Sequence, residues 1–129
     1  MAAKILLVDD ETEFLGTWTR LLERQGFCCV AASDAAQAIS LLCSERPDLV
    51  LTDLSLPVGD GFEVARRAQL HAPPIPTIII TAYDTPENAA RAHSMGVNGY
   101  LVKPFSNRAL IEAISNALHR PTALRPRPT

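Results

Sequence analysis

Nowhere do the 129 residues hold an apolar run approaching the roughly 18 residues that a membrane-spanning helix needs. Near the start, residues 5–8 are apolar, but Asp9 and Asp10 follow at once, too soon for the hydrophobic segment of a secretory signal. Both absences lead to the expectation of a cytoplasmic protein with no membrane contact. Cysteine is scarce and odd in number. Cys28, Cys29 and Cys43 offer neither a disulfide framework nor a metal-type spacing, and are expected to be small buried hydrophobes in a reducing compartment. An excess of basic charge is missing too, with 12 Lys and Arg against 14 Asp and Glu. Three of the arginines, Arg120, Arg125 and Arg127, fall in the last ten residues, which leaves 9 basic against 14 acidic residues before them. A body that acidic is a poor nucleic-acid binder, because neutralising phosphates supplies most non-specific affinity. There is no internal repeat and no helix-turn-helix pattern. What is present is a chain that is 47% hydrophobic and 20% charged, which excludes disorder for most of its length and suits one domain.

Short apolar runs alternate with helical patterns. Residues 5–8 read as a strand covered on both faces. Phe14, Leu15, Trp18, Leu21 and Leu22 then line one face of a helix, which Gly26 ends. Residues 27–32 read as a second strand, Ser33-Asp34 as a helix N-cap and residues 35–44 as the helix. Residues 49–53 form a third strand, and a loop containing Pro57, Gly59 and Gly61 leads to a helix over 62–70. Prolines at 73, 74 and 76 mark a connector before the β-branched run 77–81. Thr85-Pro86-Glu87 opens a fourth helix that runs to Ser94 and stops at Gly96. Residues 99–102 form a fifth strand. Phe105, Ser106 and Leu110 make a hydrophobic staple around the N-cap of a last helix, whose Ile111, Ile114 and Leu118 face the core. The segment from Pro121 holds three prolines in nine residues and cannot continue that helix. Five strands alternating with five helices imply an α/β fold, an open doubly wound parallel sheet rather than an eight-unit barrel.

Such sheets bind ligands beyond the carboxyl ends of their strands, so the residues that end each run carry the chemistry. These are Asp9 and Asp10 after the first strand, Asp53 on the third, Thr81 on the fourth and Lys103-Pro104 after the fifth. The second strand ends in Ala31-Ala32 and adds nothing polar, as suits an edge. Each residue alone reads as a turn, cap or loop residue; four polar strand ends meeting at one rim are a site. Three carboxylates there cannot all stay ionised uncompensated, and oxygen ligands favour a hard dication such as magnesium. An ammonium and a hydroxyl beside them suit phosphoryl transfer, with an aspartate able to act as nucleophile. His71, His93 and His119 read as surface or loop residues outside this set, and Trp18 as core.

The run Ile5-Leu6-Leu7-Val8-Asp9-Asp10-Glu11, the run from Pro47 through Asp53 to Pro57, Asp60-Gly61, Ile80-Thr81-Ala82 and Gly99-Tyr100-Leu101-Val102-Lys103-Pro104-Phe105 together resemble the receiver domain of bacterial two-component response regulators. The resemblance covers about 4–118. It implies a flavodoxin-like five-stranded sheet of order 2-1-3-4-5, a receiver domain over 1–119 and a Pro/Arg-rich tail or linker over 120–129. It makes Asp53 the phosphoacceptor. Asp10 holds magnesium directly, Asp9 largely through water, and the backbone carbonyl of Ser55 is a further ligand. Lys103 pairs with Asp53, Thr81 is the switch hydroxyl and Tyr100 its aromatic follower, Ala82 leaves access to the acceptor, and the Lys103–Pro104 bond is cis. Implied partners are a histidine kinase, a downstream protein or an output domain, and a second copy through the fourth-helix, fifth-strand and fifth-helix face. Ser55 and Tyr83, two residues past the acceptor and the switch threonine, flank the route of hydrolytic water, so both are expected to tune phosphoryl lifetime.

Two enzyme classes share parts of this pattern. A haloacid-dehalogenase-like enzyme uses an aspartate nucleophile and magnesium but wants a second acid two residues on, where this chain has Ser55. A flavodoxin-like flavin binder wants a Ser, Thr and Gly loop after the first strand, where this chain has Asp9-Asp10-Glu11.

Overall fold

The computed structural model describes residues 2–119, with the side chain of His119 outside that description. The expected Pro/Arg-rich tail over 120–129 therefore lies outside the described residues. In chain order the elements are β1 (Lys4–Val8), α1 (Thr12–Arg24), β2 (Cys28–Ala32), α2 (Ala35–Glu45), β3 (Leu49–Asp53), α3 (Gly61–Gln69), β4 (Thr77–Thr81), α4 (Pro86–Met95), β5 (Gly99–Val102) and α5 (Asn107–His119). The strands form one sheet of order β2-β1-β3-β4-β5, and each neighbouring pair is parallel.

The order follows from burial. Strands β3 and β4 are buried at every position, and their unbroken apolar runs are what a strand covered on both faces requires. Side chains alternate between faces along a strand. Ile5, Leu7, Leu49, Leu51, Ile78 and Ile80 therefore pack with Trp18 and Leu22 of α1 and with Leu110, Ile114 and Ala117 of α5. On the other face Leu6, Val8 and Val50 meet Ala35, Ala38 and Leu42 of α2 and Val64 and Ala68 of α3. Ile79 meets Phe62, Ala65 and, from α4, Ala92. Ile111 and Leu118 of α5 pack against the first of these clusters, half-buried.

The helices start where side-chain oxygens take up free N–H groups. Asp34 accepts from the N–H of Gln37, Asp60 from Glu63 and Thr85 from Asn88, with Pro86 in the first turn of α4. Ser106 accepts from the N–H of Ala109 at the head of α5. Gly96 ends α4 in the left-handed region, the backbone that favours glycine at that position. Two expectations shift. Strand β2 starts at Cys28 rather than Phe27, because the Phe27 N–H turns back to the carbonyl of Leu22 and closes α1. The cysteines are not buried hydrophobes: Cys28 and Cys43 are exposed and Cys29 is half-buried. Cys28 and Cys29 lie on an edge strand that a helix layer covers only in part.

Candidate phosphoacceptor site

All the polar strand ends meet at one rim. Parallel pairing sets Val8 beside Thr52, Asp53 beside Ile80 and Thr81 beside Val102, so Asp9, Asp53, Thr81 and Lys103 follow or end four adjacent strands. The backbone N–H of Lys103 donates to the carbonyl of Thr81, 2.8 Å away, which extends the ladder past β5 and aims the lysine back over the sheet. The Lys103–Pro104 bond is cis, as the resemblance implies; Ala72–Pro73, which the sequence did not single out, is cis too.

Lys103 organises the rim. Its Nζ donates to Asp53 Oδ2 at 2.8 Å and to Asp9 Oδ2 at 3.1 Å. Asp53 Oδ1 accepts from the backbone N–H of Ser55 at 3.0 Å, and Asp9 Oδ1 from that of Glu11 at 2.9 Å. Asp9 is fully buried, Asp53 nearly so, and Asp10 exposed. Burial pushes the Asp9 carboxyl up to about 6, against the pull of the Glu11 N–H and Lys103 and with a further push from the charge of Asp53. For Lys103, burial alone would lower the pKa; its hydrogen bonds to Asp53 and Asp9 outweigh that and raise it.

One oxygen from each of Asp9, Asp10 and Asp53 lies within 4.8 Å of the others. One ammonium against three carboxylates leaves the cluster short of positive charge. An all-oxygen donor set that needs positive charge fits a hard dication. The three acids are the groups able to hold one.

An open cleft of about 600 Å³ leads to Asp53, lined by Asp10, Glu11, Phe14, Ser55, Ala82, Tyr83, Lys103 and Pro104. Thr81 is buried behind it, its Oγ1 accepting from the backbone N–H of Tyr83 at 2.8 Å. Tyr83 is 65% exposed at the mouth. Tyr100 stands apart from the carboxylates. Its hydroxyl donates to Asp84 at 3.2 Å on an exposed surface, and partial burial with that contact raises its pKa. His71 and His93 do not line the cleft, as expected.

Sequence reasoning missed three contributors. Phe14 and Trp18, assigned only to a helix face, bring their rings to 4.5 and 5.6 Å from Lys103 Nζ. The available signal was their four-residue spacing on a helix that starts just after the acids. Gly61 was read as a loop glycine and as part of the Asp60-Gly61 motif, with no role at the site, yet a β-carbon there would lie 2.4 Å from the carbonyl oxygen of Asp53. No local pattern reveals Asp84 as the partner of Tyr100.

A model of the response regulator receiver domain family matches residues 5–115. The chain belongs to that family. Among solved structures, this receiver domain is similar to a response regulator receiver domain protein from Clostridium thermocellum, with 32% identity and a TM-score of 0.85 over 92% of this chain and 95% of that one. A CheY-like response regulator receiver domain protein from Methanospirillum hungatei is 30% identical, with a TM-score of 0.85 over 92% and 94% of the two chains. The signal receiver domain of the putative response regulator NarL from Mycobacterium tuberculosis is 26% identical, with a TM-score of 0.84 over 93% and 98%. The fold is thus the flavodoxin-like receiver fold, a signalling domain of two-component systems, and the acidic cluster fits the magnesium pocket of such domains. Among the described residues no helix is long and apolar enough to cross a membrane.

Proposed function

We propose that the receiver domain is the phosphoacceptor of a two-component pathway, with Asp53 taking a phosphoryl group from a histidine kinase or a small acyl phosphate. The observation that carries this is the Asp53 carboxylate at the floor of an open cleft, held by Lys103 and the Ser55 N–H within reach of two further acids. A carboxylate oxygen of Asp53 attacks phosphorus, the bond from phosphorus to the donor nitrogen or oxygen breaks, and an aspartyl phosphate forms. Transfer of this kind depends on positioning and charge neutralisation more than on covalent help from the protein. Magnesium held by Asp9, Asp10, Asp53 and the Ser55 carbonyl would supply the positive charge that Lys103 alone does not. Lys103 holds the acceptor oxygen before transfer and a phosphoryl oxygen after it. Beyond its own phosphorylation and dephosphorylation the domain is assigned no enzymatic reaction; the dehalogenase-like reading lacks its second acid, with Ser55 at that position, and the flavodoxin-like reading meets Asp9-Asp10-Glu11 where its phosphate loop should be.

The output follows from charge. A phosphoryl group brings about two negative charges and three acceptor oxygens where a carboxylate stood. Those oxygens favour a position of Thr81 in which its hydroxyl donates to them, and Tyr100 then leaves Asp84 for the space Thr81 vacates. Turning a 1:99 equilibrium into 99:1 takes roughly 5.5 kcal/mol of differential binding, which a few charge-assisted hydrogen bonds can largely provide. The surface of α4, β5 and α5 carries the change to a downstream protein, an output domain or a second copy. The domain so read spans 1–119, acts in the cytoplasm, touches no membrane and binds no nucleic acid itself, with 120–129 as a tail or linker.

The test is intact-protein mass after incubation with acetyl phosphate and magnesium. Wild type is expected to gain one phosphoryl group, and Asp53→Asn or omission of magnesium to prevent it. A folded wild type that gains nothing from acetyl phosphate or from a phosphorylated histidine kinase overturns the reading. Followed in time, the same measurement gives the lifetime. Tyr83→Ala is expected to shorten it severalfold by admitting water at the cleft mouth, and an unchanged decay rate removes Tyr83 from the account.

A further inference from the structure

Lys103 has more than carboxylates for neighbours. Its ammonium lies 4.5 Å from the centroid of the Phe14 ring and 5.6 Å from that of Trp18. The two rings are stacked, with centroids 5.7 Å apart and planes 29° from parallel. Phe105 braces Trp18 from the other end of the group at a centroid distance of 5.7 Å. Trp18 is buried within the core, while Phe14 is 38% exposed and lines the cleft beside Asp53. The aromatic group thus reaches from the core under α1 to the cleft wall, and Lys103 is where it meets the carboxylates.

We infer that Phe14 and Trp18 are positioning residues for Lys103, holding its ammonium against Asp9 and Asp53 so that it is in place for the phosphoryl oxygens. The inference rests on the phosphoacceptor reading of Asp53 and extends it. A lysine ends in a compact charge on a flexible four-carbon stem, and a surface lysine ion pair gains little because the stem must be held still and water screens the charge. The Lys4–Glu45 pair is of that kind, with side chains 35% and 37% exposed. The Lys103–Asp53 pair is different, with side chains 13% and 9% exposed. Two of the three ammonium hydrogens go to carboxylates. The electron-rich ring faces attract the same cation more strongly where water is excluded, and they replace the water that would otherwise solvate it. The sequence logic is simple: α1 begins right after Asp9 and Asp10, so residues at its first and second turns stand beside the lysine that pairs with Asp9.

The clean test is at Phe14, because replacing buried Trp18 by an aliphatic residue also opens a cavity. Phe14→Leu keeps an apolar side chain and removes the ring; Phe14→Tyr keeps the ring. Ring faces shift nearby protons upfield, so the ε-methylene protons of Lys103 are expected upfield of an ordinary lysine in wild type and in Phe14→Tyr, and to move back in Phe14→Leu. The rate of phosphorylation by acetyl phosphate is expected to fall about three- to fivefold in Phe14→Leu, the loss of one cation–π contact, with Phe14→Tyr near wild type and all three proteins melting within a few degrees of one another. Trp18→Phe, which keeps a ring at the core, is expected to fall between them. An unshifted Lys103 methylene in wild type, or equal rates in wild type and Phe14→Leu, overturns the inference and leaves the phosphoacceptor reading intact. Equal losses in Leu and Tyr variants mark a packing role and overturn it too. A wild type that accepts no phosphoryl group from any donor overturns the phosphoacceptor reading, and this inference with it.

Discussion

The Asp9 carboxyl is fully buried and shares Lys103 with Asp53. Burial raises its pKa from 3.8 to about 6, and this has a definite sign for stability. A group whose folded pKa lies above its unfolded pKa stabilises fully below the unfolded value, and that stabilisation is lost as pH rises through the folded value. Metal-free protein is therefore expected to be more stable at pH 5 than at pH 7. Asp9→Asn should flatten that dependence and, without magnesium, make the protein more stable at pH 7. Magnesium should then stabilise wild type more than the variant, since an ion that binds only the folded state adds stability. Urea unfolding at the two pH values, with and without the ion, checks this; a wild type that loses stability between pH 7 and pH 5 would contradict it.

Among the elements, the junction of β3 and α3 bears most directly on the site. Asp53 ends the strand, Ser55 bridges Asp60, and Asp60 caps the helix that begins at Gly61. Gly61 donates its N–H to the carbonyl of Leu54 at 2.9 Å. A β-carbon on it would lie 2.4 Å from the Asp53 oxygen and 3.0 Å from the α-carbon of Leu54. Both are backbone atoms, so neither can swing aside. Gly61→Ala must push the acceptor strand end away from α3, and overpacking of this sort costs about 1–3 kcal/mol. The expected result is a lower denaturation midpoint together with slower phosphorylation of Asp53. Asp60→Ala, which removes only the cap, is expected to lose about 1 kcal/mol and to keep most of its phosphorylation rate. Equal rates in Gly61→Ala and wild type would show that the strand end absorbs the methyl without moving the acceptor.

At the scale of the whole molecule the question is how a change at Asp53 reaches α4, β5 and α5. The sheet offers one short route. Thr81 and Val102 pair across β4 and β5, Lys103 is tied by its N–H to the Thr81 carbonyl, and the Thr81 hydroxyl accepts from Tyr83 at the start of the loop before α4. Tyr100 leans on Asp84 in that same loop. Thr81→Ala removes the hydroxyl and leaves Asp53, Lys103 and the acids untouched. It is expected still to take up the phosphoryl group, more slowly than wild type, while most of the amide chemical-shift changes over α4, β5 and α5 disappear. A variant that still shows the full set of changes would place the coupling elsewhere.

Local chemistry by itself determined the elements and the polar residues that end the strands at the rim. Unbroken β-branched and aliphatic runs such as 77–81 have no polar face to show water, so they had to be central strands, and a parallel sheet must present its ligands at their carboxyl ends. Asp9, Asp10, Asp53, Thr81 and Lys103 were legible for that reason. What only the tertiary structure decided is what stands next to what: the aromatic rings beside Lys103, the close approach of Gly61 to the acceptor carbonyl, the Tyr100–Asp84 contact and the exposure of Cys28 and Cys43. These depend on distances between segments far apart in the chain, and on which strands fall at the sheet's edges. Periodicity assigns a residue to a face, but the neighbour across that face is set by how the layers pack.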